Sequence, residues 1–158
     1  MQLMPFFALK NFEELKRKEI HDIYALRAAI FVVEQDFVYQ DIDGKDLEAH
    51  HVLGTFNSKL IAYARILRKG SSYEDYVSIG RIAVSEEHRG KAIGHKTVRF
   101  CLECIADLYK GETIKISAQA HLENFYNQHG FKKEGVAYLE DGIPHIAMIK
   151  RSTQEEAF

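Results

Sequence analysis

The stretch Val77–Leu108, VSIGRIAVSEEHRGKAIGHKTVRFCLECIADL, constrains this chain more than any other. Val77, Ile79, Ile82 and Val84 form a β-branched apolar run, which predicts a buried strand. A polar turn follows, Ser85 to Lys91. Ile93, Val98, Cys101, Leu102, Ile105 and Leu108 then recur at helical spacing. A strand, a short turn and a long amphipathic helix require a fold in which helices pack on a sheet.

The junction reads Arg89-Gly90-Lys91-Ala92-Ile93-Gly94. A helix start leaves its first N–H groups without partners and carries partial positive charge. Glycine lets a ligand approach that backbone closely. Arg89 and Lys91 add two full charges, so the junction suits a phosphate or pyrophosphate. The helix-end effect is worth only about 0.3–1 kcal/mol when exposed, so several N–H groups must converge along with the basic side chains. A basic loop with an ordinary helix start accounts for the same residues, because glycine-rich turns are common. A P-loop is excluded: Gly90 and Gly94 stand too close together, and His95-Lys96 follow instead of Lys-Ser/Thr. The Rossmann glycine fingerprint is absent as well.

The 158 residues suit one domain with a sizeable core, expected over residues 1–151 with a loose tail over 152–158. Hydrophobic residues at 46% and charged residues at 28% are those of an ordinary soluble protein. With 21 basic and 23 acidic residues the net charge is −2, which argues against nucleic acid as the main partner. No apolar run approaches the roughly 20 residues of a membrane span. The start, MQLMPFFALK, lacks the pattern of a signal peptide, so no membrane association is expected and the cytoplasm is the expected location. Ten phenylalanines and eight tyrosines permit a homodimer interface without placing one.

Along the chain, Pro5–Leu9 reads as a first strand. Asn11 caps a helical region with Glu13 and Glu14 in its first turn, and an amphipathic pattern runs to about Val33. Glu34 to Ala49 then sets Glu34, Asp36, Asp41, Asp43, Asp46 and Glu48 against Lys45 alone. Its DIDGKD fails the EF-hand register. Two readings stand: a solvated acidic loop, or an acidic mouth that attracts a cationic amine. His50–Phe56 and Leu60–Leu67 read as a hairpin turning at Asn57-Ser58, and Lys69–Tyr76 as a polar loop. Lys110-Gly111 ends the long helix, and Thr113–Gln119 is a further strand. Leu122–His129 is a short helix closed by Gly130. Lys132–Leu139 and His145–Lys150 are two last strands joined by EDGIP. The order β-α-β-β-β-α-β-α-β-β predicts one α/β (α+β) domain with a mixed sheet.

Cys101 and Cys104 form a C-x-x-C pair deep inside the long helix. A redox dithiol is best activated at a helix start, and a zinc site needs two more ligands, so these read as core thiols. His50, His51, His121 and His145 lack metal-ligand spacing, and no metal is expected.

GRIAV at Gly80–Val84 followed by RGKAIG resembles motif A of the GNAT acyl-CoA N-acyltransferases, R-x-x-G-x-[GA] before a long helix. Arg89, Ala92 and Gly94 carry the match, with Ala92 in place of the usual glycine. A methyl group there narrows a pyrophosphate site, yet alanine suits a helix start and is expected to be tolerated. FVVEQ (Phe31–Gln35), YQDIDGKD (Tyr39–Asp46), AYARIL (Ala62–Leu67), AQAHLENFY (Ala118–Tyr126) and DGIPHIAM (Asp141–Met148) extend the resemblance to the ElaA-like subfamily over nearly the whole chain.

The resemblance implies the GNAT fold, a mixed, mostly antiparallel central sheet flanked by helices. It implies acetyl-CoA as cosubstrate and no metal. The pyrophosphate would sit on Arg89, Gly90, Lys91, Ala92, Ile93 and Gly94, and the pantetheine arm along the backbone of Ile82, Ala83 and Val84. Asn124 would contact coenzyme A, and the Glu34–Glu48 region would form the acceptor side. Tyr126 occupies the tyrosine position of the family's Y-x-x-x-G-F motif and would be the acid. A phenol near pKa 10 is abundant at pH 7 and can protonate a thiolate whose thiol is near 8.5. Without the resemblance, Tyr126 reads as a core tyrosine on a short helix.

Acyl transfer from a thioester to an amine also needs the amine deprotonated and an oxyanion stabilised. An amine near pKa 10.4 costs about 4–5 kcal/mol to deprotonate at pH 7, which a weak base acting through water supplies. Glu34, His121 and His145 are the candidate bases, and each histidine has a structural reading beside it. The implied reaction is direct transfer to the amine of a small molecule or peptide in a ternary complex, because the cysteines lie away from the thioester. The rival readings are a non-catalytic acyl-CoA sensor and an acyltransferase for longer acyl chains or protein lysines.

Overall fold

The structure, a computed structural model, describes residues 3–152. Its strands are β1 (Phe6–Asn11), β2 (His50–Phe56), β3 (Lys59–Leu67), β4 (Ser78–Val84), β5 (Ile114–Gln119), β6 (Lys132–Glu140) and β7 (Ile143–Lys150). Its helices are α1 (Arg17–Arg27), α2 (Ile93–Leu108) and α3 (Glu123–Asn127). The strands form two antiparallel sheets, in the orders β1-β2-β3-β4 and β5-β7-β6.

The runs fold as their periods dictate. Neighbouring strand side chains point to opposite faces. Val52 therefore joins the core under α2, with Ala64, Ile66, Val98, Cys101 and Ile105. The adjacent Leu53 joins Tyr63 and Ile23 under α1 on the other face. Each such large side chain contributes about 1.5–3 kcal/mol on burial. Asn57 and Ser58 turn the β2–β3 hairpin at φ 50° and 62°, the left-handed pair a two-residue hairpin turn demands. Asn11 and Glu14 exchange side-chain and backbone hydrogen bonds of 3.0 Å in a capping box around a single 3-10 turn.

The two sheets touch at one parallel bridge, Val77 to Ile114. There the Val77 N–H donates to Thr113 O (3.2 Å) and the Lys115 N–H to Val77 O (2.9 Å). Beyond this point β4 and β5 belong to different sheets and part.

Two expectations need correction. The amphipathic pattern to Val33 is α1 followed by a π-helical segment, Ala28–Glu34. The last strand begins at Ile143 rather than His145, because Asp141 and Gly142 make a two-residue turn with φ 52° and 76°. Of the expected tail, residues 153–158 lie outside the described residues.

Candidate active site

The parting of β4 and β5 opens a cleft of about 1230 Å³, lined by both strands, the π-helical segment, the start of α2 and α3. Ordinary small-molecule sites run to about 1,000 Å³, so this cleft suits a long ligand together with a second molecule. Among the described residues, the β4 edge facing it has no strand partner. The Ser85 N–H reaches Ile61 O on β3 at 2.8 Å, so alternation turns the Val84 N–H away from β3. The β3–β4 register slips between Tyr63 and Arg65, where Arg81 takes φ 52°. This bulge re-aims the backbone of Ile82, Ala83 and Val84, which all line the cleft.

Arg89, Gly90, Ala92, Ile93 and Gly94 line the same cleft, and Lys91 is exposed outside its wall. No side chain caps α2, so its first N–H groups remain available to an anion. Gly90 has φ 76° and Ala92, the helix cap, φ 60°. Ala92 is thus not a comfortable first helical residue, as the sequence suggested. It sits in the left-handed region, where a Cβ costs roughly 1–2 kcal/mol. Arg89 does not face the cleft freely: it holds the Glu34 carboxylate in a bidentate pair, Nη1 to Oε1 and Nη2 to Oε2 (2.7 Å).

Tyr126 lines the cleft on α3 and is 9% exposed, packed edge-on against Phe125 and Phe131. Burial first, and then the neighbouring Cys101, pushes its pKa up to about 12. Asn124 is exposed and lies off the cleft wall. Cys101 and Cys104 are buried core residues outside the cleft, with their thiol pKa values raised by burial, Cys104 to about 11.

The acidic mouth does not form. Arg27, fully buried, donates from Nε to Asp41 (2.9 Å) and from Nη1 to Asp46 (2.8 Å). Arg65 reaches Asp43 at 2.8 Å and Asp46 at 3.2 Å. Arg81 reaches Asp41 at 2.7 Å and Asp43 at 3.4 Å. Three aspartates therefore meet three arginines. Burial alone would raise Asp43, but Arg65 outweighs it and holds the carboxyl at about 2. The reason is energetic: a buried carboxylate survives only when paired.

The candidate bases diverge. The hydrogen bonds from Arg89 hold the Glu34 pKa below the ordinary carboxylate range, which weakens it as a base. His121 is exposed on the turn after β5 and lines the cleft. His145 is 7% exposed and also lines it. Its Nδ1 donates to Ile143 O (2.7 Å) and its Nε2 lies 3.3 Å from Glu140 Oε2. Ser117, Tyr138 and Glu140 around this ring, and Arg81 at the bulge, escaped the sequence reading. The Asp-Gly turn was the available signal: closing the hairpin there pairs Tyr138 with His145 and brings Glu140 opposite Ile143. Among the described residues, no group of three or more His, Cys, Asp or Glu is placed to hold a metal ion. No described helix is long and apolar enough to cross a membrane.

Two parted strands, a bulged strand edge and an uncapped basic helix start define an acyl-CoA-dependent acyltransferase of the GNAT fold. The family model for the acetyltransferase (GNAT) domain matches residues 16–152. Protein ElaA of Escherichia coli K12 is 43% identical over 143 residues, covering 89% of this chain and 93% of ElaA. The crystal structure of Escherichia coli ElaA superposes with TM-score 0.88 at 40% identity, over 94% of this chain and 100% of that one. An acyl-CoA N-acyltransferase from Pseudomonas aeruginosa does so with TM-score 0.88 at 36% identity, over 93% and 99%. The chain belongs to the GNAT acetyltransferase family, in its ElaA-like subfamily.

Proposed function

We propose that this protein, a single domain over residues 1–151, is a cytoplasmic N-acetyltransferase. It moves the acetyl group of acetyl-CoA directly onto the amine of a small molecule or peptide in a ternary complex. The observation that carries this reading is one cleft bordered by the free β4 edge, the uncapped start of α2 and the Tyr126 ring. The pyrophosphate is held by the N–H groups of Gly90 to Gly94, with Arg89 exchanging Glu34 for phosphate. The pantetheine arm pairs with the β4 edge at Ile82–Val84, as a strand would. The N–H groups freed by the bulge face the thioester carbonyl, where losing one donor typically costs a few kcal/mol.

Tyr126 faces the departing sulfur. With its pKa at about 12, full transfer to a thiolate of ordinary pKa is uphill by about 5 kcal/mol. Tyr126 therefore works first as a hydrogen-bond donor, and its proton moves as the thiolate, raised by the same burial, leaves. The absence of either cysteine from the cleft wall supports direct transfer. Ile30, Phe31 and Phe37 on the wall favour a second reading, an acyl chain longer than acetyl.

Calorimetric titration with acetyl-CoA, followed by turnover with primary amines, tests the proposal. Saturable binding is expected, with Tyr126→Phe lowering kcat about 10²-fold at unchanged affinity. Unchanged turnover would remove the acid role. Faster turnover with a longer acyl-CoA would select the second reading.

A further inference from the structure

One wall of the cleft holds a side-chain cluster outside the phosphate loop and Tyr126. It gathers Ser117 on β5, Tyr138 and Glu140 at the end of β6, and His145 on β7. Glu140 is half exposed and lines the cleft with Ser117 and His145. The Ser117 hydroxyl donates to Glu140 Oε1 at 3.1 Å. Because that hydrogen is committed, the Tyr138 hydroxyl is the donor in its short contact with Ser117 Oγ. On the other oxygen, His145 Nε2 lies 3.3 Å from Glu140 Oε2 while Nδ1 is anchored on Ile143 O. The Tyr138 ring lies over the imidazole, 25° from parallel with centroids 6.3 Å apart. The carboxylate is thus fixed at Oε1 by the Ser117 hydroxyl, while Oε2 accepts from His145 Nε2 only when the ring is an imidazolium, because Nδ1 carries the neutral ring's proton; lone pairs stay free on its half-exposed face.

Charge accounting singles it out. Of the other carboxylates on the cleft wall, Glu34 is held by Arg89 and Asp43 by Arg65 and Arg81. Glu140 meets no lysine or arginine among the described residues, and Asp141 beside it adds a second negative charge at the hairpin turn. Tyr73, on the loop across the cleft, lies near enough to Tyr138 and Glu140 for their charges to add to the burial that raises its own pKa to about 12. The Tyr73 ring already carries the Lys115 ammonium, 5.1 Å from its centroid, and Lys115 reaches Glu134 rather than Glu140, so an alkylammonium group brought here meets the Glu140 carboxylate as its charge partner.

We propose that Glu140 docks the acceptor as its ammonium ion and then takes the proton that frees the amine, with Ser117, Tyr138 and His145 as positioning residues. This rests on the amine-acetyltransferase reading above and names its acceptor site. The step balances: R–NH3⁺ gives one proton to the Glu140 carboxylate, and the freed nitrogen pair forms the C–N bond to the thioester carbon. The C–S bond breaks and the sulfur leaves as the thiol, taking the Tyr126 proton. The second nitrogen proton restores Tyr126, and Glu140 releases its proton to water.

The test uses the full chain, acetyl-CoA and four primary amines (ethanolamine, putrescine, lysine and phenethylamine), read by thiol release. Glu140→Gln keeps the size and, on a half-exposed hairpin tip, the fold. It is expected to lower kcat/KM for the amine about 10²-fold while leaving acetyl-CoA affinity by calorimetry within two-fold. KM for the amine should rise with salt in the wild type and become insensitive to salt in the variant. Ser117→Ala should lose about ten-fold by the same measure, as a positioning residue. Wild-type kcat/KM in Glu140→Gln overturns the inference. So does a loss that acetyl-CoA affinity shares equally, since a merely structural role would produce it. Acetyl-CoA binding without turnover of any amine by the wild type overturns the inference and leaves the acyl-CoA reading standing. Absence of acetyl-CoA binding overturns both.

Discussion

Glu34 and Arg89 form a competition that can be measured. Their bidentate pair closes one end of the cleft, yet the two side chains remain 38% and 40% exposed. An ion pair that open to solvent is worth about 0.5–1 kcal/mol. For Arg89 to turn its guanidinium onto a pyrophosphate, that pair must open. Glu34→Gln removes the carboxylate that competes with the pyrophosphate for Arg89. The expected result is acetyl-CoA binding tightened about two- to five-fold, the equivalent of 0.5–1 kcal/mol.

The assay is calorimetric titration of wild type, Glu34→Gln, Arg89→Ala and the double variant, at low and high salt. Arg89→Ala should weaken binding, and the double variant should match Arg89→Ala, because Glu34 acts through Arg89. The gain in Glu34→Gln should shrink at high salt, where exposed charges are screened within a few ångströms. Binding weakened by Glu34→Gln to the level of Arg89→Ala would refute the competition. The carboxylate would then be what holds Arg89 in place for the phosphate.

Asp46→Ala should destabilise the protein by about 3–5 kcal/mol, read as the urea midpoint. Asp46 accepts from both Arg27 and Arg65, and truncation leaves two buried guanidiniums short of a partner. Asp46→Asn keeps one acceptor oxygen and should cost less, and a negligible shift in Asp46→Ala would refute the pairing. Stability should also fall between pH 7.5 and 5.5, measured as Tm. Burial lowers the pKa of His51, and burial with the adjacent His95 lowers that of His129. The unfolded chain therefore takes up protons first as the pH drops below about 6.5, which favours unfolding. His51 shows the reason: its Nε2–H donates to Asp46 O (2.9 Å) and its Nδ1 accepts from the Tyr63 hydroxyl (2.7 Å), leaving no place for a second proton. A Tm that is flat or rises on acidification would refute this.

The strand-turn-helix unit from Val77 to Leu108 was readable because its information is local. A β-branched run and a period near 3.6 each name their own element, and β4 and α2 end within a residue of the expected limits. Tyr126 was reachable only through the resemblance, since burial beside Phe125 and Phe131 looks the same in a core tyrosine and in one bordering a cleft. The Ala92 conformation was not readable. Alanine is the best helix former, and only the sharp entry into α2 places it at φ 60°.

The acidic stretch shows most clearly where local reading stops. Its charges were visible, but their partners sit on α1, β3 and β4, and the bonds span 14, 22 and 40 residues. Only the fold brings Arg27, Arg65 and Arg81 to Asp41, Asp43 and Asp46. Their meeting changes the electrostatics of the cleft. A loop with six carboxylates against one lysine would draw a cation to the α1 side. Once three of those carboxylates are matched by arginines and Glu34 by Arg89, that wall holds little net charge. On the acceptor-site inference, the attraction for an amine then falls to the opposite wall, where Glu140 forms no ion pair with a lysine or arginine among the described residues and lies 3.3 Å from His145 Nε2. On the same inference, neutralising one wall while Glu140 and Asp141 stay on the other draws an incoming ammonium across the cleft from the arginine-paired loop.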